Sequence, residues 1–277
     1  MTQESLPDEY ALGRSDAETR RLVLQHQLYG PLTRRFFEAA GVGTGMRVLD
    51  LGSGAGDVAL LLADLVGPTG HVLGVDMNAD VLTTARTRAA AAGWANVEFH
   101  VGDIRELPRT TDYDAVVGRW VLMYVPEPAQ LLRQAAALLR PGGIVAFQEG
   151  VLRDAARTYP LTPLHESVLR WTTAPPGAPG PSVEMGLQLY GTFVEAGLPT
   201  PQLRLEAPLG GGPDWPGYAY VASTVRSLLP FLEQMGAVTA AEVDVDSLEG
   251  RLRAEVVESG GIQQLPPVIG AWSRLTP

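Results

Sequence analysis

RVLDLGSGAGDVALLLA, residues 47–63, decides the fold of this chain. Arg47 to Leu51 is short and rich in β-branched and leucine side chains, the composition of a buried strand. Gly52, Gly54 and Gly56 follow at every second position. Asp57 to Ala63 then has helical spacing with a carboxylate in its first turn, which marks a helix start. A glycine-rich turn between a strand and a helix lets the backbone come close to a nucleotide, because no Cβ stands in the way. The stretch therefore poses a chemical question: which nucleotide the turn holds.

Composition narrows the answer. The 277 residues suffice for one large α/β domain, and 45% hydrophobic against 19% charged residues supply an ordinary core. The chain has no cysteine, which removes disulfide frameworks, thiolate zinc sites, iron–sulfur clusters and cysteine nucleophiles together. The formal net charge is −10 and the 21 basic residues are scattered, so there is no basic stripe for a phosphate backbone and no nucleic-acid partner is expected. MTQESLPDEY (1–10) is polar and acidic, unlike a signal peptide. No apolar run approaches the roughly 18 residues of a membrane span. A soluble cytoplasmic protein with no membrane partner is the expectation.

From 45 to 150 strand and helix patterns alternate with little spare length. Strands are expected at 47–51, 71–75, 97–101, 113–117 and 143–148, and helices at 57–66, 79–92 and 128–139. Gly67-Pro68-Thr69-Gly70, Gly93 and Arg140-Pro141-Gly142-Gly143 punctuate the joins. Alternation of this kind implies right-handed βαβ crossovers and a parallel sheet covered on both faces. Ligands then sit at the carboxyl ends of the strands, so the residues just after each strand matter most.

The first of these turns reads GxGxG, and the place where a dinucleotide fingerprint wants its third small residue holds Asp57. That carboxylate suits a helix dipole but sits badly beside a pyrophosphate. Asp76 follows the second strand, about twenty residues on, where an acid can accept from both hydroxyls of a ribose. Asp103 in Gly102-Asp103-Ile104 is a second acid at a strand end, which a nicotinamide dehydrogenase does not need. It can accept from the exocyclic amine of adenine, with Met77 and Ile104 on the ring faces. Asp50, inside the first strand, reads as an organiser of the turn, and Asp76 and Asp103 can equally be read as helix N-caps.

VLDLGSGAGD (48–57), VLGVD (72–76), VGDIREL (101–107), DYDAVVGRWVLMYVPEP (112–128) and LLRPGG (138–143) resemble, in order and spacing, the successive motifs of class I S-adenosylmethionine-dependent methyltransferases. The resemblance implies a Rossmann-like seven-stranded sheet in order 3-2-1-4-5-7-6 with the last strand antiparallel. Residues 186–196 fit the helix after strand five, 201–209 strand six and 265–273 strand seven. The implied organisation is one domain over 1–277: an N-terminal helical cover (1–45), a cofactor-binding core (46–150) and helical lid insertions on the acceptor side (151–185 and 210–236). Carried onto this sequence, Gly52, Ser53, Gly54 and Gly56 approach the methionine part of S-adenosylmethionine, Asp76 holds the ribose, Met77 packs on adenine, and Asp103 with Ile104 binds its edge. Arg119 ends strand four and faces the cleft.

Ser15-Asp16-Ala17-Glu18 has the form of a capping box, so a helix starts near Asp16 and places Leu22, Gln25, His26 and Tyr29 on one stripe. Tyr29 on such a cover would donate to the cofactor carboxylate with Gln25 in support, and Gly30-Pro31 should end or kink the helix. A sulfonium already activates its methyl group, so the protein's task is to align a nucleophile and exclude water. Glu149 after strand five and His165 in PLTPLHESVLRW are the candidate proton acceptors. The place after strand four reads GRWVLMY, without the Asn/Asp-Pro-Pro-aromatic motif of DNA amino-methyltransferases, and no acidic cluster for a metal converges. A small-molecule acceptor remains, and Trp120, Tyr124, Trp171, Trp215 and Tyr218 mark it as aromatic or heteroaromatic, indole- or phenol-like. The alternative is a protein on the same fold that binds S-adenosylmethionine without methylating, or a cyclase. The sequence leaves the oligomeric state open.

Overall fold

In a computed structural model the described residues are 16–103, 112–152, 157–172 and 182–276, with side chains described from residue 20. In chain order the elements are α1 (Asp16–Ala40), β1 (Arg47–Leu51), α2 (Asp57–Val66), β2 (His71–Asp76), α3 (Ala79–Ala91), β3 (Val97–Val101), β4 (Tyr113–Arg119), α4 (Pro128–Ala136) and β5 (Leu139–Gly150). Then come β6 (Arg157–Tyr159), α5 (Pro163–Thr172), α6 (Met185–Glu195), β7 (Gln202–Glu206), β8 (Leu209–Gly211), α7 (Gly217–Gln234), α8 (Ala240–Val243), α9 (Val245–Glu258), β9 (Ile262–Gln264) and β10 (Val268–Arg274). Two compact units are distinguishable. The larger gathers Gly30–Arg153, Pro179–Ala207 and Pro267–Pro277, and the smaller Met1–Tyr29, Asp154–Ala178 and Pro208–Pro266.

The larger unit is built on a seven-stranded sheet in the order β3-β2-β1-β4-β5-β10-β7. Strands β1 to β5 are parallel, and β10 runs antiparallel to both of its neighbours. This is the expected order, with β10 and β7 as strands seven and six. Alternation across the pleat divides the core in two. Leu49, Val116, Val145 and Phe147 join Leu132, Leu189 and Phe193 on one face. Val48, Ala115, Val117 and Ala146 join Phe36, Phe37 and Leu62 on the other. No helix among the described residues is long and apolar enough to cross a membrane.

The smaller unit carries a three-stranded antiparallel sheet in the order β6-β9-β8 with α5, α7 and α9. Both segments expected to be purely helical therefore contribute a strand. Each is only three residues long, too short for its own alternation to register, and is recruited by the cross-strand partner β9. The boundary expectations shift as well: β5 runs from Leu139, because Arg140-Pro141-Gly142-Gly143 is held within the strand rather than ahead of it. Helix α1 continues through Gly30-Pro31 instead of ending there. Pro31 lacks the N–H that would reach the Gln27 carbonyl and its ring crowds that carbonyl, but Gly30 has no Cβ to add to the crowding, so helical conformation continues through the pair.

Candidate functional site

The β1–α2 turn lies at the carboxyl end of the central parallel strands, and its three glycines do three different things. A Cβ on Gly52 (φ 65°) would come within 2.6 Å of Val121, so this glycine lets the turn after β1 close on the turn after β4. A Cβ on Gly56 would meet Ala85 at 3.1 Å and Phe99 at 3.2 Å, a packing position against α3 and β3. Gly54 (φ 52°) has nothing within 4 Å of that point, so it alone of the three opens onto free space. Asp57 is occupied by an ion pair with Arg88 at 2.6 Å.

Beneath this turn Asp50 is fully buried, and among the described residues no side chain hydrogen-bonds its carboxylate oxygens; the Ala59 N–H in the first turn of α2 partly offsets the burial. Burial pushes its pKa well above the usual carboxylate value; the Arg119 guanidinium opposes that shift, and Asp76 and Asp57 add to it. The hydroxyl of Ser53, also buried, is unpartnered too. Native interiors leave few such groups, so two together make this a candidate place for a polar ligand. Arg119 itself is buried and tied in place: it donates to Thr33 Oγ1 (3.1 Å), which donates to Gln148 Oε1 (2.7 Å). The sequence reads Asp50 as a turn organiser, and its burial inside the run Val-Leu-Asp-Leu makes it a candidate ligand-binding group as well, since acids are almost never fully buried unpaired.

Asp76 ends β2 with Oδ2 accepting from the Gly54 N–H (3.0 Å) and Oδ1 from the Asn78 N–H (2.9 Å). A carboxylate offers about four acceptor sites, so two remain for hydroxyls. Next to it Met77 is 66% exposed, a large apolar side chain waiting for a cover. Asp103, at the end of β3, is half-buried, and Ile104 lies outside the described residues. Among the described residues no three His, Asp or Glu side chains converge to hold a metal ion.

The β4–α4 connection is the second feature of this rim. Trp120 adopts φ 54°, a strained conformation for an aromatic residue, and its N–H donates to the Gln148 carbonyl (2.9 Å). Glu149, completely buried, then takes the next three amides. Oε1 accepts from Val121 (3.0 Å) and Leu122 (2.9 Å), and Oε2 from Met123 (3.4 Å). Burial pushes its pKa to about 7 against the opposing pull of those N–H groups. The side chain proposed as a proton acceptor is thus enclosed and engaged with the backbone. Tyr124, at the far end of the same turn, is 44% exposed.

The remaining sequence-derived candidates belong to the smaller unit. His165 is buried and bonded at both ring nitrogens, to Thr162 Oγ1 (3.1 Å) and Gln263 Nε2 (2.6 Å). The Trp215 indole can only donate, and it meets Gln263 Oε1 at 2.9 Å. That turns the Gln263 amide nitrogen toward His165 Nε2, which must accept, leaving the proton on Nδ1 to donate to Thr162. Burial lowers the His165 pKa to about 4, so the ring is held neutral. Trp215 also fills the space above Gly210 and Gly217 and walls an open hollow of about 470 Å³ with Pro213, Glu249 and Arg253. Tyr29, expected to donate to the cofactor, gives its hydroxyl proton to the Pro266 carbonyl (3.1 Å) and packs edge-on against Tyr220. Gln25 accepts from Arg21. Tyr218 is fully buried with its hydroxyl unpartnered, and Trp171 is half-buried on α5.

A family model described as a methyltransferase domain matches residues 43–183, just over half of the chain. An arsenite methyltransferase of Halobacterium salinarum is 41% identical over 113 residues, which cover 40% of this chain and 29% of that protein. A ubiquinone/menaquinone biosynthesis C-methyltransferase of Pseudomonas savastanoi is 40% identical over 134 residues, covering 46% and 52%. The chain thus spans about half or less of the length of these curated relatives. The YcgJ protein of Bacillus subtilis shares the fold, with a TM-score of 0.55 over 91% of this chain and 99% of that one at 18% identity. With five motifs in register, a sheet in the expected order and an unpartnered carboxyl beneath the glycine turn, the chain belongs to the class I S-adenosylmethionine-dependent methyltransferase family.

Proposed function

We propose that this protein transfers the methyl group of S-adenosylmethionine to a small aromatic or heteroaromatic acceptor, with indoles and phenols as the first types to screen. The observation that carries the cofactor half is the buried, unpartnered Asp50 carboxyl with the Ser53 hydroxyl beside the open face of Gly54. The amino-acid end of S-adenosylmethionine brings an ammonium and a carboxylate, the complement of an unpaired acid and a free hydroxyl. Asp76 holds the ribose hydroxyls on its two remaining acceptor sites, Met77 covers adenine, and Asp103 with Ile104 reads its edge. When bound, the cofactor supplies a methyl group already activated by a sulfonium. What the chain must add is alignment and exclusion of water.

Alignment falls to the turn that follows β4. In this reading Glu149 is a positioning residue: by holding three successive amides it fixes Trp120, whose ring lies under the Arg119 guanidinium at 5.2 Å. A planar acceptor stacked on Trp120, with Tyr124 at the turn's end, loses little freedom on docking. Electron-rich rings attack a sulfonium with modest base assistance, which suits a chain whose two candidate bases, Glu149 and His165, are each enclosed within their own unit. The quinone-biosynthesis relative supports a ring acceptor. The arsenite relative is a weaker guide, because trivalent arsenic is held best by soft thiolates and this chain has no cysteine.

Calorimetric titration tests the cofactor half. S-adenosylhomocysteine should bind in the micromolar range, with Asp76→Ala weaker by about 1.5–3 kcal/mol, the range for hydrogen bonds to a charged group. Gly54→Val should weaken it by a similar amount, since its side chain grows into the open space. Tighter binding of NAD than of S-adenosylhomocysteine would overturn the reading. For the acceptor half, turnover to S-adenosylhomocysteine is followed across indoles, phenols, aliphatic acids and sugars. Trp120→Ala should raise the acceptor KM and leave cofactor affinity intact. Turnover confined to aliphatic acids or sugars rejects the aromatic acceptor.

A further inference from the structure

Among the described residues strand β7 ends the seven-stranded sheet with only β10 beside it, so its outer row of backbone N–H and C=O groups faces no other described strand. Proteins ordinarily blunt such an edge with charge, proline or a covering element. Here the edge reads Gln202-Leu203-Arg204-Leu205-Glu206, and Leu203 and Leu205 are 50% and 63% exposed. They stand opposite Ala271 and Ile269, so they continue the core face on which Leu189 and Phe193 of α6 pack, yet α6 leaves them uncovered. Leu187, Tyr190 and Val194 form an exposed apolar stripe along α6, at three- and four-residue spacing. An uncovered apolar strip on an open strand edge marks an interaction surface.

We propose that this surface is covered by a second copy of the chain, with β7 pairing antiparallel to itself across a two-fold axis. Charge chooses both the partner and the register. An axis through Leu205 puts Leu205 opposite Leu205 of the partner subunit and Arg204 opposite the partner's Glu206, and by symmetry this happens twice. An axis through Arg204 would set two guanidinium groups against each other, which opposed strands avoid. Glu206 is already flanked on its own chain by Arg35 at 2.9 Å and Arg204 at 3.2 Å, so the seam extends an existing ion-pair cluster. In this register only Arg204, Leu205 and Glu206 of β7 pair with the same strand of the second copy, a ladder smaller than the roughly 1,200–2,000 Å² of a stable interface, and the exposed side chains of α6 supply the added area.

Sedimentation equilibrium on the full chain decides the matter without any acceptor, so its result stands apart from the catalytic reading. The wild type should be a dimer at micromolar concentration. Leu203→Lys/Leu205→Lys should be a monomer that keeps the wild-type far-UV circular dichroism spectrum, since both side chains are exposed within one chain. Arg204→Glu should weaken the dimer about tenfold through two like-charge pairs, and Arg204→Glu/Glu206→Arg should restore it. A monomeric wild type, or a dimer that survives the double lysine variant, overturns the proposal.

Discussion

Glu149→Ala should destabilise the larger unit by about 2–4 kcal/mol, whereas Glu149→Gln should cost only about 1. The alanine leaves the amides of Val121, Leu122 and Met123 buried without an acceptor, at roughly 1–3 kcal/mol each, offset in part by relief of the buried carboxylate. Glutamine keeps one oxygen where two of those three amides already point. The pH dependence has a defined sign. Burial raises the folded-state pKa from 4.5 to about 7, so the fold binds a proton that the unfolded chain has released. Its contribution is fully present below about pH 4.5 and is lost as pH rises to 7, by about 3 kcal/mol. His165 acts in the opposite sense. Its pKa falls from 6.5 to about 4, so the smaller unit loses up to about 3 kcal/mol as pH drops through that window. Denaturant unfolding between pH 4 and 8 checks both, with Glu149→Gln removing the first slope and His165→Gln the second. A Glu149→Gln protein that keeps the wild-type slope would show that another group titrates.

Asp50→Asn should move stability and affinity in opposite directions. The ligand-free fold carries a carboxyl that burial holds well above its normal pKa, so its ionisation opposes folding increasingly as pH rises. The amide does not ionise, so the variant should be more stable than the wild type at alkaline pH, with little gain in acid. Binding of S-adenosylhomocysteine should weaken by about 1.5–3 kcal/mol, because a charged acceptor for the cofactor's ammonium is gone. Thermal unfolding with and without ligand reads both effects in one experiment. A residue serving only the turn after β1 would lower stability and affinity together, and that result rejects the ligand role. The opposite signs are the mark of a strained site kept for binding.

The sequence by itself determined what depends on neighbours in the chain. Apolar runs of five or six residues, glycines at 52, 54 and 56 and acids at strand ends are local signals, and alternating short connections imply parallel strands, while the order β3-β2-β1-β4-β5 came with the resemblance of the motifs to class I methyltransferases. Tertiary structure decided how polar groups are satisfied. Glu149 and His165 look like free bases in one dimension. Only the fold brings three amides from the β4–α4 turn to the first, and Gln263, nearly a hundred residues away, to the second. The reverse holds for Asp50, whose pattern resembles a turn acid until the fold shows it fully buried with no side chain among the described residues hydrogen-bonded to it. Hydrophobic periodicity is set by which face is buried and survives in sequence. A hydrogen bond needs two groups placed within about 3 Å, and residues distant along the chain acquire that relation only when the chain has folded.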